Sequence, residues 1–189
     1  MPTSPPSQPA SLDRLLPLER GDAAARSQPM GVFTHIDDPL TTDGEVPEGT
    51  VAALGALRAA GLHVVAITGR PVGWSEPFAA RWPVDAIVPE NGAMALVPTG
   101  EADANGLRKL TRLYQQDEAT RARNHARMQD VLAGIERDIP GALRAQDSAG
   151  RECDIAVDHS EFTQLSDAQI DKVVLAMRVA GMHATVSSI

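Results

Sequence analysis

The sequence predicts an α/β protein built on a short parallel sheet, and three observations carry that reading. Apolar runs of strand length occur at 31–36, 62–67 and 84–88. A helical pattern lies between each successive pair. The runs end in turn-forming groups: Asp37-Asp38-Pro39, Thr68-Gly69-Arg70-Pro71 and Glu90-Asn91-Gly92. Strand–helix–strand–helix–strand at this spacing implies parallel strands joined by right-handed crossovers. In such sheets ligands bind beyond the carboxyl ends of the strands, which makes these turns the places to look for chemistry.

Taken in order, residues 1–29 are rich in Pro, Ser, Gln and Ala and read as a disordered tail, with one short helical turn at Leu12–Leu18. The first strand, 31–36, runs into Asp37 and Asp38, and Asp43-Gly44 turns the chain. Pro47-Glu48 opens a helix with Val51, Leu54 and Leu57 on its apolar face, stopped at Gly61. Leu62–Ile67 is the second buried strand. A helix around Ser75–Trp82 follows, with Trp74 and Trp82 packing it on the sheet, and Val84–Val88 is the third strand. Glu90-Asn91-Gly92 is a hairpin turn, and Ala93–Val97 returns as a strand.

Beyond Pro98 the texture changes. Leu107, Leu110 and Tyr114 suit one helix face; Met128, Val131, Leu132, Ile135 and Ile139 suit a second. The charged stretch 115–127 between them is an exposed helix face or a break. Residues 152–158 alternate as a half-exposed strand. Ser166 and Gln169 form a capping box, flanked by Leu165 and Ile170 as a hydrophobic staple, for a helix ending at Gly181. Met182–Ile189 reads as a last strand. The expected organisation is a tail at 1–29, a three-strand core piece at 30–93 and an α+β piece at 94–189.

The 189 residues carry a net charge of −8, with 43% hydrophobic and 22% charged residues. That is a soluble globular composition with no basic face, which excludes nucleic acid and anionic membrane as partners. A single cysteine, Cys153, allows no internal disulfide and points to the cytoplasm. No apolar run approaches the ~20 residues a membrane span needs, and no signal peptide is read. His63, His125, His159 and His183 make no pair at metal-ligand spacing on one helix face. Asp158, His159 and Glu161 read as a solvated loop, and Cys153 as a small buried apolar residue.

His35-Ile-Asp37-Asp-Pro39, then Ile67-Thr68-Gly69-Arg70, then Glu90-Asn91-Gly92-Ala93 together resemble the haloacid dehalogenase-like (HAD) superfamily. More narrowly they resemble its class IIB phosphatases, in which an α/β cap is inserted after the third core strand. The resemblance implies an incomplete HAD-like Rossmannoid sheet with the cap at 94–189. It also implies Mg²⁺-dependent hydrolysis of a small phosphorylated metabolite. In the family's Asp-x-Asp-x-Thr motif the first Asp attacks phosphorus and the second serves as acid and base. Carried over by position, His35 stands at the nucleophile, Asp37 at the acid/base, and Pro39 at the Thr. Thr68, Gly69 and Arg70 form the phosphate-binding turn, and the backbone carbonyl of Asp37 is the implied metal ligand. The family's Lys motif and Gly-Asp-x-x-x-Asp metal motif do not occur in these residues, and the resemblance implies that they would follow Ile189. The expectation is a phosphatase homologue with little or no activity in this form, the alternatives being a non-catalytic binding protein or a fragment of a longer phosphatase. A core lacking its further strands would leave the 31–36 strand as an exposed edge through which the chain could self-associate.

Overall fold

A computed structural model describes residues 29–41 and 46–187. The tail with its Leu12–Leu18 turn (all but residue 29), the Asp43-Gly44 turn and the last two residues of the expected final strand lie outside the described residues. The unit from Gly31 onward is built on a five-stranded sheet in the order β1-β2-β3-β4-β5. The strands are β1 (Gly31–His35), β2 (His63–Ile67), β3 (Ala86–Val88), β4 (Met94–Thr99) and β5 (Lys109–Tyr114). The first three are parallel, with Gly31 opposite His63 and Val65 opposite Ala86. β4 runs back against β3, and β5 against β4.

The two crossovers are α1 (Glu48–Ala59), which follows Pro47, and α2 (Val72–Arg81). α2 begins three residues before Ser75, because Pro71 sets an extended cap from which the helix starts directly. The core between sheet and helices holds Ile36, Leu54, Val64, Ala66, Val72 and Trp82, all fully or nearly fully buried. Trp82 seals it as the sequence suggests. β1 departs from the expected buried strand. Among the described residues it pairs only with β2, and Phe33 is 76% exposed.

Three expectations beyond residue 98 give way. The helix face drawn through Leu107, Leu110 and Tyr114 is instead β5, whose six residues pair one-to-one with β4. Thr111 and Tyr114 favour a pleated surface, and the cross-strand partners on β4 decide the matter. The charged 115–127 stretch is mostly the opening of one long helix, α3 (Glu118–Asp138), capped by the Asp117 carboxylate on the Thr120 N–H at 2.9 Å. Of the strand expected at 152–158 only β7 (Val157–Asp158) forms, pairing with β6 (Leu143–Arg144). The Ser166–Gln169 capping box opens α4 (Asp167–Val179) as expected, but 182–187 forms no strand. A second apolar cluster joins α3 and α4 through Ile135, Ile139, Ala142 and Val173. Among the described residues no helix is long and apolar enough to cross a membrane.

Candidate functional site

The carboxyl ends of β1, β2 and β3 come together, and with them the residues singled out above. β1 and β2 lie side by side in register, so His35 pairs with Ile67 and the residues that follow each strand are neighbours. The Thr68 hydroxyl donates to Asp37 Oδ2 at 2.8 Å, and Arg70 Nε donates to Asp37 Oδ1 at 3.0 Å. Burial pushes the Asp37 carboxyl up, but the Thr68 hydroxyl and the Arg70 guanidinium outweigh it and hold the group below the ordinary aspartate value. Asp37 is therefore anionic at neutral pH. His35 Nδ1 lies 3.3 Å from the Asp37 carbonyl and 3.8 Å from Oδ2. Asp38 takes a left-handed backbone, φ 70°, and its N–H donates to the Thr41 hydroxyl at 3.1 Å.

The turn after β2 is laced to the turn after β3. Thr68 N–H donates to the Val88 carbonyl, Asn91 N–H to the Thr68 carbonyl, and Glu90 N–H to the Arg70 carbonyl, at 3.1, 3.3 and 3.1 Å. Arg70 lies over Trp74, with 5.9 Å from its guanidinium carbon to the ring centroid. The hairpin turn at Glu90–Gly92 is a short 3₁₀ segment in which Glu90, Asn91 and Gly92 all have positive φ. Two consecutive non-glycine residues in that region store backbone strain that surrounding contacts must hold.

Sequence reasoning missed what holds it. Glu90 is 1% exposed, and its carboxylate accepts from the N–H groups of Val72, Glu152 and Cys153. Two of those donors belong to the segment 145–154, so Glu90 fastens that segment to the core. The same segment is joined by Glu152, which accepts from Arg112 on β5 and from the Tyr114 hydroxyl at 2.8 Å. Nothing local to Glu90 in the sequence marks it as buried. An acid directly after an apolar strand is the only signal, and a solvated turn gives the same one.

Together these elements border a cleft of about 730 Å³. His35, Asp37, Asp38, Arg70 and Asn91 lie on one side, Asp147, Arg151 and Asp154 on another, and Ile170, Val174 and Met177 of α4 form an apolar wall. Asp158 is not part of a solvated loop. It is 8% exposed and accepts from the N–H groups of residues 160 to 163, which folds that loop on itself. Cys153 is partly buried, and burial together with the Glu90 charge pushes its thiol up to about 11, so it stays protonated and unreactive.

The residues present do not fit a magnesium ion. A hard cation needs several converging oxygen donors. Asp37 has both carboxylate oxygens engaged by Thr68 and Arg70, and the neighbouring strand-end position offers imidazole. Among the described residues no three His, Cys, Asp or Glu side chains are grouped to hold a metal.

Comparison with known proteins agrees with this architecture. Residues 32–113 match the family model of the haloacid dehalogenase-like hydrolases. Protein 0175 of Thermoplasma acidophilum superposes with a TM-score of 0.57 at 13% identity, over 82% of this chain and 59% of that one. The IMP-nucleotidase of Plasmodium falciparum gives 0.51 at 8%, over 80% and 42%. BT1666 of Bacteroides thetaiotaomicron, described as a phosphatase of the HAD superfamily, gives 0.41 at 19%, over 86% and 50%. The chain thus spans 42 to 59% of the length of these structures. No curated protein matches it. Over residues 32–113, somewhat under half of the chain, the sequence is similar to the haloacid dehalogenase-like hydrolases, consistent with their class IIB.

Proposed function

We infer that this chain recognises a small phosphorylated metabolite at the Thr68–Gly69–Arg70 turn and hydrolyses it slowly or not at all in this form. One arrangement carries the reading: imidazole stands at the end of β1 where the family places its attacking carboxylate, while Asp37 is ion-paired and anionic. An aspartate held below its ordinary value is poorly protonated at neutral pH, so it has little proton to give a leaving oxygen. An imidazole at position 35 neither supplies the carboxylate nor offers the oxygen donor that a hard cation prefers. What remains is recognition: the Arg70 guanidinium and Gly69 line a partly apolar cleft, with the Thr68 hydroxyl buried just behind them against Asp37, and this set suits a phosphoryl group.

The test is phosphate release from a generic phosphate ester, with and without Mg²⁺. Release from the chain is expected at background, and the His35→Asp variant is expected to stay there, because the oxygen donors for a cation are still lacking. Clear Mg²⁺-dependent turnover by either protein would overturn the reading.

Among the described residues nothing pairs with the outer edge of β1, and this supports a second property. Two copies can pair their β1 strands antiparallel about Phe33 through that edge. Self-association at micromolar concentration, read by light scattering and reduced by Phe33→Lys, is expected. A monomer at those concentrations would refute it.

A further inference from the structure

The segment 145–154 reaches the Thr68–Arg70 turn from far along the chain, and Arg151 makes the join. Its side chain is 7% exposed. Nε and Nη2 donate to the two oxygens of Asp147, each at 3.1 Å. Nη1 donates to Asp154 Oδ1 at 2.8 Å and to the Gly69 carbonyl at 3.1 Å. A nearly buried guanidinium is tolerable because two carboxylates compensate its charge and its donors are used. Asp154 is held in turn by the Asn91 side chain, whose Nδ2 donates to its Oδ2 at 3.1 Å.

The contact with Gly69 bears directly on the site. The Gly69 carbonyl and the Arg70 N–H belong to one planar peptide unit and point to opposite sides of it. Arg151 holds the carbonyl. The N–H on the other side donates to the Thr68 hydroxyl oxygen at 3.0 Å, and that hydroxyl donates to Asp37. Fixing one end of the peptide plane therefore aims the hydroxyl at the other. Asp147 adds a second link, with Oδ2 4.0 Å from Arg70 Nη1 while it is paired with Arg151. Charges alternate along the row Asp37, Arg70, Asp147, Arg151, Asp154, and each member limits where its neighbour can sit.

We propose that Arg151 is a positioning residue for the phosphate-binding turn: through the Gly69 carbonyl it orients the peptide that aims the Thr68 hydroxyl, and through Asp147 it steadies Arg70. This rests on reading Thr68–Arg70 as the phosphate-binding turn. Arg151 acts through the shape of the turn, and so makes phosphate recognition depend on a segment 82 positions away in the chain.

The test is titration of the full chain with inorganic phosphate, followed by the amide resonances of Gly69 and Arg70. Saturable shifts are expected in the unaltered chain and none in Thr68→Val. Arg151→Gln is expected to weaken binding about tenfold or more, the size usual for a residue that orients a binding group. It is also expected to move the ligand-free Arg70 amide resonance, a signature that general loosening elsewhere would not single out. Arg151→Lys is expected to recover part of the affinity, since an ammonium can still reach a carboxylate and the carbonyl but lacks the fork. Phosphate binding by Arg151→Gln equal to that of the unaltered chain overturns the proposal alone. So does equal loss in Arg151→Lys and Arg151→Gln with an unmoved Arg70 amide. Absence of saturable binding in the unaltered chain, or its persistence in Thr68→Val, overturns the reading of the turn and the proposal with it.

Discussion

Two carboxylates follow the ends of two parallel strands in this sheet, and they are used in opposite ways. Glu90, after β3, is 1% exposed and is met by backbone N–H groups. Asp37, after β1, faces a cleft and is met by the side chains of Thr68 and Arg70. Backbone donors cannot rotate away, so Glu90 is a fixed rivet. Side-chain donors can exchange partners, so under the proposed function Arg70, which lines the cleft, is the donor that would leave Asp37 for an arriving anion. A strand-end acid in this architecture is thus structural or functional according to what donates to it.

The comparison breaks most sharply at Glu90. Glu90→Ala leaves one buried and two part-buried N–H groups without that acceptor, and a buried loss of this kind costs on the order of 1–3 kcal/mol. A loss of about 3 kcal/mol or more in denaturant unfolding is expected, with the strained turn relaxing as its anchor goes. A loss below about 1 kcal/mol would mean that Glu90 is no rivet.

Phosphate affinity should move in the other direction along the comparison. Asp37→Asn removes the charge that competes for Arg70, so inorganic phosphate is expected to bind several-fold tighter by calorimetry. Unchanged affinity would show that Arg70 does not exchange partners.

A smaller effect is expected on stability. Asp37→Asn should cost less than about 1 kcal/mol at pH 7, because Arg70 is partly exposed and its ion pair is screened. The pH dependence has a definite sign. The folded value of Asp37 lies below its unfolded one, so its stabilisation is present above the unfolded value and is lost as pH falls through the folded one. The unaltered chain should therefore lose more stability than Asp37→Asn between neutral pH and pH below the ordinary aspartate range. Parallel pH profiles would count against the hydrogen bonds assigned to Asp37.

The alternation of strands and helices through residue 99 was legible because each element is defined by its own period and its own stop. His63–Ile67 and Glu48–Ala59 needed no distant partner to be recognised. Motif order singled out Asp37, Thr68, Gly69 and Arg70, and the structure places them side by side. β5 was not, because its residues are largely exposed and lack alternation, so its apolar spacing mimicked a helix while its true determinant is the partner strand. Glu90 and Arg151 were not legible for a related reason. The contacts that tie Glu90 to Glu152 and Arg151 to Gly69 span 62 and 82 positions, and nothing in a local window distinguishes a buried, compensated charge from a solvated one.

The segment 145–154 also meets the core backbone to backbone. A Cβ on Gly73 would come 3.4 Å from Gly150 Cα, and one on Gly150 would come 3.3 Å from Pro71 Cβ. At these ranges a methyl group on Gly73 makes ordinary contact and one on Gly150 presses lightly on Pro71, so the path of the segment is held mainly by its hydrogen bonds to Glu90 and Gly69. Asp147 and Asp154, which line the cleft, also compensate the nearly buried Arg151 charge, so exchanging either one leaves that guanidinium partly unpaired. For protein engineering the three residues are one unit: ligand preference on that side of the cleft could be rewritten by exchanging Asp147, Arg151 and Asp154 together.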